Sequence, residues 1–160
     1  EIAFVPHYEP PLLNGARKKY PYSFIDYKSR LNREGRSANS PWFYEFKHVD
    51  PGDVGWHDAL KLNPIDGKKL GLKDGDNIRV SSIGGSVECT ARLWEGMRPG
   101  TVAKAFGQGH WAYGKTAAKD YSKALPRGGN NNTIIPFELE RLSGSSARNG
   151  GHALVKIEKI

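Results

Sequence analysis

The chain has 160 residues, 38% of them hydrophobic and 26% charged. That is the make-up of one ordinary globular domain, able to bury roughly two-thirds of its unfolded surface. No apolar run approaches the ~20 residues of a membrane-spanning helix, and Glu1-Ile2-Ala3-Phe4-Val5-Pro6 lacks the basic start and apolar core of a secretory signal. The net charge of +7 is uneven: residues 1–100 hold fifteen Lys/Arg against thirteen Asp/Glu, a net of +2, and residues 101–160 hold nine against four, a net of +5. Such an excess fits an anionic partner and fits a solvated basic face equally well.

Residues 1–19 read as an irregular lead-in from a preceding domain, because Pro6, Pro10, Pro11 and Asn14-Gly15 forbid a long helix or a central strand. Tyr20 to Tyr27 is aromatic-rich and suits a strand, with Pro21 placing its start at a sheet edge. Lys28 to Ser40 is a polar, basic loop. Ser40-Pro41 then has the form of a helix cap followed by Pro at the first helical position, opening a short helix through Trp42, Phe43 and Phe46. Asn63-Pro64 is a second such start, with Asp66 near the N-terminus, Lys68 and Lys69 near the C-terminus, and Gly71 as the stop.

Lys73-Asp74-Gly75-Asp76 is a turn into a strand from Asn77 to Ser82, and Gly84-Gly85 is the next turn. From Val87 to Trp94 the residues alternate, with Val87, Cys89, Ala91 and Leu93 on one face and Glu88, Thr90 and Arg92 on the other. That period of two is a half-buried strand, with the chain's single cysteine on its core face. Thr101–Phe106 and His152–Ile160 are further strands, the last with Ala153, Val155 and Ile157 inward. Short strands, two or three short helices and no βαβ rhythm predict a mainly β barrel with short helical insertions.

Three segments have the composition of a binding site. Gly107 and Gly109 flank Gln108 directly after a strand and let the backbone approach a ligand, while Gln108, His110 and Trp111 offer donors and a ring. Gly128-Gly129-Asn130-Asn131-Asn132 presents amides that suit the edge of a heterocycle. Equally, its asparagines can form turns and cap a helix starting near Pro136. Arg33 to Asn39 combines Arg36, Ser37 and Asn39 in a loop fit for phosphate, or for plain solvent. With one cysteine, no internal disulfide or multi-cysteine metal site is possible, and His7, His48, His57 and His152 have no zinc-site spacing. No nucleophile-base or paired-carboxylate arrangement stands out, so no catalytic residue is assigned. The basic barrel also admits single-stranded nucleic-acid binding or a plain assembly role. However, the strand-face aromatics of a stacking platform are missing.

Taken in order, the segments LKLNPIDGKKLGLKDGDNIRVSSIGGSVECTARLWEGMRPGTV at 60–102, FGQGHW at 106–111, GGNNNTIIP at 128–136 and EGRSANSPW at 34–42 resemble a known family. It is the C-terminal molybdopterin-dinucleotide-binding domain of the dimethyl-sulfoxide-reductase family. The wording is most similar to respiratory reductases of arsenate, thiosulfate, polysulfide or tetrathionate, and the resemblance covers about residues 20–160.

The resemblance implies a six-stranded double-psi β-barrel. It implies a molybdenum- or tungsten-bis(molybdopterin guanine dinucleotide) cofactor, shared with catalytic domains outside this chain. By position, Arg36, Ser37 and Asn39 would hold one dinucleotide arm. Gly107, Gln108, Gly109, His110 and Trp111 would approach pterin or phosphate, and Gly129, Asn130 and Asn131 a pterin or guanine edge. The implied partners are the remaining domains of the same polypeptide and an iron–sulfur electron-transfer subunit, with no nucleic acid and no direct membrane insertion. The respiratory likeness points to a periplasmic or cell-surface location. One departure is Asn149-Gly150-Gly151, which stands where the family has a Lys or Arg reaching the cofactor. A second is that no metal side-chain ligand is present, so the chain alone is not expected to be catalytic.

Overall fold

The alternation that marks residues 86–93 is what the structure builds on. In strand β4 (Ser86–Leu93), Val87, Cys89 and Ala91 are buried while Ser86 and Glu88 face outward. The computed structural model describes residues 5, 16–32, 35, 38–110, 114–139, 144 and 152–160. Strand β4 joins β1 (Tyr22–Tyr27), β2 (Ala59–Leu62), β3 (Asn77–Ser81), β5 (Thr101–Ala105) and β8 (His152–Lys159) in a closed barrel of spatial order β1-β5-β2-β4-β3-β8. Two pairs are parallel, β1 with β5 and β2 with β4, and the other four contacts are antiparallel. This agrees with the expected six-stranded β-barrel.

Closure leaves β1 no free edge, since β5 and β8 flank it, so the edge position expected from Pro21 does not exist. Pro21 instead precedes the strand, where its missing N–H breaks no ladder. Inside, Phe24, Leu60, Leu62, Ile78, Val80, Val102 and Val155 are fully buried. Each such side chain stabilises the barrel by roughly 1.5–3 kcal/mol relative to exposure. Every barrel strand is paired on both sides, and most of the core comes from the barrel's own strands, with Leu72 and Ile134 added from the connections.

The helix α1 (Pro64–Lys69) forms as its cap predicts. The Asn63 side chain accepts the Ile65 N–H at 2.9 Å and donates to the Met97 carbonyl at 2.6 Å, and Gly71 ends the helix with φ +66°. Asp66 does more than favour a helix terminus: it is buried and accepts the Gly100 N–H at 2.6 Å, tying α1 to the turn before β5.

Two expectations are corrected, and one element is new. Pro41–Tyr44 is a single 3₁₀ turn that stops short of Phe46, and Ser40 makes no side-chain cap. A four-residue turn that buries none of its residues lacks the packing that extends a helix. Among the described residues no helix starts near Pro136: Asn130 caps a 3₁₀ turn at Asn131–Thr133, its side chain accepting the Asn132 N–H, and residues 136–138 are irregular. Finally, β6 (Ala118–Asp120) and β7 (Leu125–Pro126) form an antiparallel hairpin that composition did not disclose.

Candidate functional site

Strand β5 feeds the first binding segment directly. Its end is fixed by the Phe106 N–H donating to the Tyr27 carbonyl at 3.1 Å and by the Asn32 amide donating to the Phe106 carbonyl at 2.9 Å. Gly107 and Gly109 then take φ of +98° and +87°, values that side-chain-bearing residues avoid. At Gly109 a Cβ would lie 2.5 Å from the Asn130 backbone nitrogen, so this glycine lets the 106–110 and 127–131 loops touch. The Gly109 N–H donates to the Arg127 carbonyl across that contact. On the other side a Cβ at Gly107 would come 3.1 Å from the Gly35 Cα, which brings the third segment against the first.

These loops border a groove of about 1410 Å³ that runs over β4 between residues 53–59 and 125–130. Gln108, Gly109, Gly129 and Asn130 line it, together with Trp56 and Arg127. Gln108 is only 4% exposed and sits at the groove wall. A largely buried amide at a groove wall can donate to and accept from a polar ligand.

The groove's charge follows from its pairings. Four acidic side chains line it, and each has a cation: Asp53 with Lys61, Asp58 with Lys104, Asp74 with Arg92 and Glu88 with Arg79. Arg127, lying over the Tyr44 ring at 5.1 Å, and the exposed Lys119 contribute positive charge beyond those pairs. Burial pushes the Tyr44 hydroxyl's pKa up, and Arg127 pulls it the other way. The residues present therefore suit an elongated, anionic ligand with a heterocyclic end.

Beneath the groove lies a cluster that the sequence analysis did not single out. Lys104 follows Val102 by two positions on β5 and so points inward; it is fully buried. Its ammonium lies 2.5 Å from Asp58 Oδ1, 2.7 Å from the Gly129 carbonyl and 2.8 Å from Asn131 Oδ1. Asp58 Oδ2 also accepts the Gly129 N–H at 2.7 Å, and Asn131 returns a bond from its amide to the Lys104 carbonyl. Burial pushes the Asp58 carboxyl's pKa up, against the opposing pull of Lys104 and the Gly129 N–H. A lysine inside an apolar strand pattern, on the same face as Val102, was the signal for this cluster.

Of the expected contacts, then, the structure brings Gln108, Gly109, Gly129 and Asn130 to one groove, with Gly107 next to it. Asn131 sits below, its amide engaged by Lys104. Asn39 accepts the Ala117 N–H at 3.1 Å, and His110 is half-buried but does not line the groove. Arg36, Ser37, Trp111 and the Asn149-Gly150-Gly151 departure lie outside the described residues. Among those residues no His, Cys, Asp and Glu cluster could hold a metal ion, and no helix is long and apolar enough to cross a membrane.

A closed barrel with a polar groove between two glycine loops defines a ligand-holding module. Residues 47–151 match the model of the molydopterin dinucleotide binding domain, and the chain belongs to that family. It is 56% identical over 159 residues to the molybdopterin-containing subunit of the arsenate respiratory reductase of Chrysiogenes arsenatis, covering 99% of this chain and 19% of that protein. The counterpart from Shewanella sp. (strain ANA-3) is 58% identical over 159 residues, covering 99% and 18%. A tetrathionate reductase chain of Salmonella typhimurium is 30% identical over 157 residues, covering 89% and 14%. The acetylene hydratase of Pelobacter acetylenicus shares the fold, with a TM-score of 0.63 over 98% of this chain and 21% of that one, at 17% identity. The chain thus spans about a fifth of the length of the arsenate reductase subunits it matches.

Proposed function

We propose that the dinucleotide part of the molybdopterin cofactor lies in the groove between the 106–110 and 127–131 loops, with this chain forming the closing domain of a larger catalytic polypeptide. The meeting of Gln108 and Gly109 from one loop with Gly129 and Asn130 from the other on a single groove is the observation that carries this reading. Arg127 and Lys119 would offset pyrophosphate charge, and the Asn130 side chain stands at the rim of the same groove. By the family resemblance, Arg36, Ser37 and Asn39 would hold one dinucleotide arm. His110 and Trp111 would approach pterin or phosphate.

When bound, the cofactor supplies redox chemistry at its molybdenum or tungsten, and this chain's residues bind and orient it. The identity to the two arsenate respiratory reductase subunits supports a respiratory oxyanion reductase as the whole protein. A periplasmic or cell-surface location and an iron–sulfur partner for electron transfer belong to the same proposal.

The test is nucleotide binding by this chain. Guanosine diphosphate should bind, adenosine diphosphate should bind more weakly, and Gln108→Ala should lower guanosine diphosphate affinity about tenfold, the loss of one or two hydrogen bonds at a desolvated wall. Equal affinity for both nucleotides, or an unchanged Gln108→Ala, would remove the groove from consideration.

A further inference from the structure

Lys104 lies below the groove and Asp58 at its wall, and between them they hold the loop that forms its rim. The Lys104 ammonium forms an ion pair with the Asp58 carboxylate and donates to two acceptors on the 129–131 segment. The peptide groups of Gly129 are held on both sides: the N–H by Asp58 and the carbonyl by Lys104. Gly129 itself has no room for a side chain, since a Cβ would sit 2.5 Å from that of Val87. Asn131 is locked by the same lysine through both ends of its amide. The segment between these clamps carries Asn130, and Arg127 lies just before it; both line the groove.

We propose that the buried Lys104–Asp58 pair positions the 127–131 loop for nucleotide binding, setting where Arg127 and Asn130 stand. This rests on the groove reading above and adds two residues to it. A side chain on β5 and one just ahead of β2 are rigidly placed by the barrel ladders, where Leu60 pairs with Lys104. A loop fastened to such elements presents its donors in a fixed arrangement, which lowers the ordering cost of binding.

The experiment compares Lys104→Met, the double variant Lys104→Met/Asp58→Asn and Leu62→Ala in this 160-residue chain. Leu62 is fully buried on β2 and pairs with Val102, toward the end of the barrel away from the loop, so its truncation lowers stability without touching the clamp. Two quantities are read: guanosine diphosphate affinity, and amide hydrogen exchange at Gly129, Asn132, Thr133 and Ile134. Both Lys104 variants should exchange at least about tenfold faster at these amides and bind the nucleotide at least about tenfold more weakly, the equivalent of one or two lost hydrogen bonds. Leu62→Ala should keep wild-type affinity and loop exchange. The double variant, which leaves no unpaired buried charge, keeps the test readable if Lys104→Met alone does not fold.

Wild-type loop exchange and affinity in a folded Lys104 variant would overturn the proposal and leave the pair a plain stabilising contact. An equal affinity loss in Leu62→Ala would overturn it too. If the wild-type chain binds no guanosine diphosphate, the groove reading fails and the coupling to ligand with it. The exchange arm then still separates that failure from the loss of the clamp.

Discussion

The ammonium of Lys104 and the carboxylate of Asp58 meet 2.5 Å apart, with the lysine fully enclosed by a barrel whose other inward residues are mostly apolar. A charge so placed is tolerable only because its partner and two further acceptors replace water.

Removing one partner should therefore cost far more than removing both. Lys104→Met leaves the Asp58 carboxylate buried with the Gly129 N–H, an expected loss of about 3–5 kcal/mol. Adding Asp58→Asn removes the stranded charge, so the double variant should be more stable than Lys104→Met alone. Urea unfolding of the three proteins measures it. A double variant no more stable than the single would mean that the pair is not coupled.

Gly109→Ala should damage the contact between the two groove loops. The new Cβ would stand 2.5 Å from the Asn130 nitrogen, at a φ of +87° that alanine resists. About 1–3 kcal/mol of strain is expected, together with weaker guanosine diphosphate binding. Gly100→Ala, whose φ is +81° with open space around a site that does not line the groove, provides the comparison: it should show strain but no change in binding.

Cys89 should resist thiol reagents in the folded protein. Burial pushes its pKa up to about 12, and the side chain shares the inward face of β4 with Val87 and Ala91. Native protein at pH 8 should label only at the rate of its opening. Because the folded-state pKa lies above the ordinary thiol value, the proton is held more tightly in the folded state. The associated stability is present below about pH 9 and is lost as the pH rises toward 12, by at most about 1.4 kcal/mol per pH unit. A Cys89→Ala variant lacks this loss, so the difference between the two denaturation curves isolates it. Fast stoichiometric labelling would contradict the inward placement.

Asn63→Ala removes the cap of α1 and, with it, the bond to the Met97 carbonyl. A loss of about 1–2 kcal/mol is expected from the cap, read as a lower melting temperature. Asn63→Asp should retain the cap bond to Ile65 while losing the donor to Met97, and so fall between the two.

Local chemistry made much of the fold legible in the sequence alone. The period-two pattern of 87–93 put Val87, Cys89 and Ala91 inside, and Asn63-Pro64 with Gly71 marked both ends of α1, because alternation and capping act within a few residues. The order of the glycine and asparagine segments carried the family. What tertiary structure alone decided was how distant segments meet. Pro21 looked like an edge signal until closure of the barrel by β8 removed the edge. Asn131 looked like a contact for a heterocycle, but its amide is held by Lys104, 27 positions away. Asp58 gave no local sign of pairing across the barrel mouth with that same lysine. Such pairings depend on which strands the barrel places side by side, and the free energy that holds them comes from excluding water around both groups, a condition no short stretch of sequence contains.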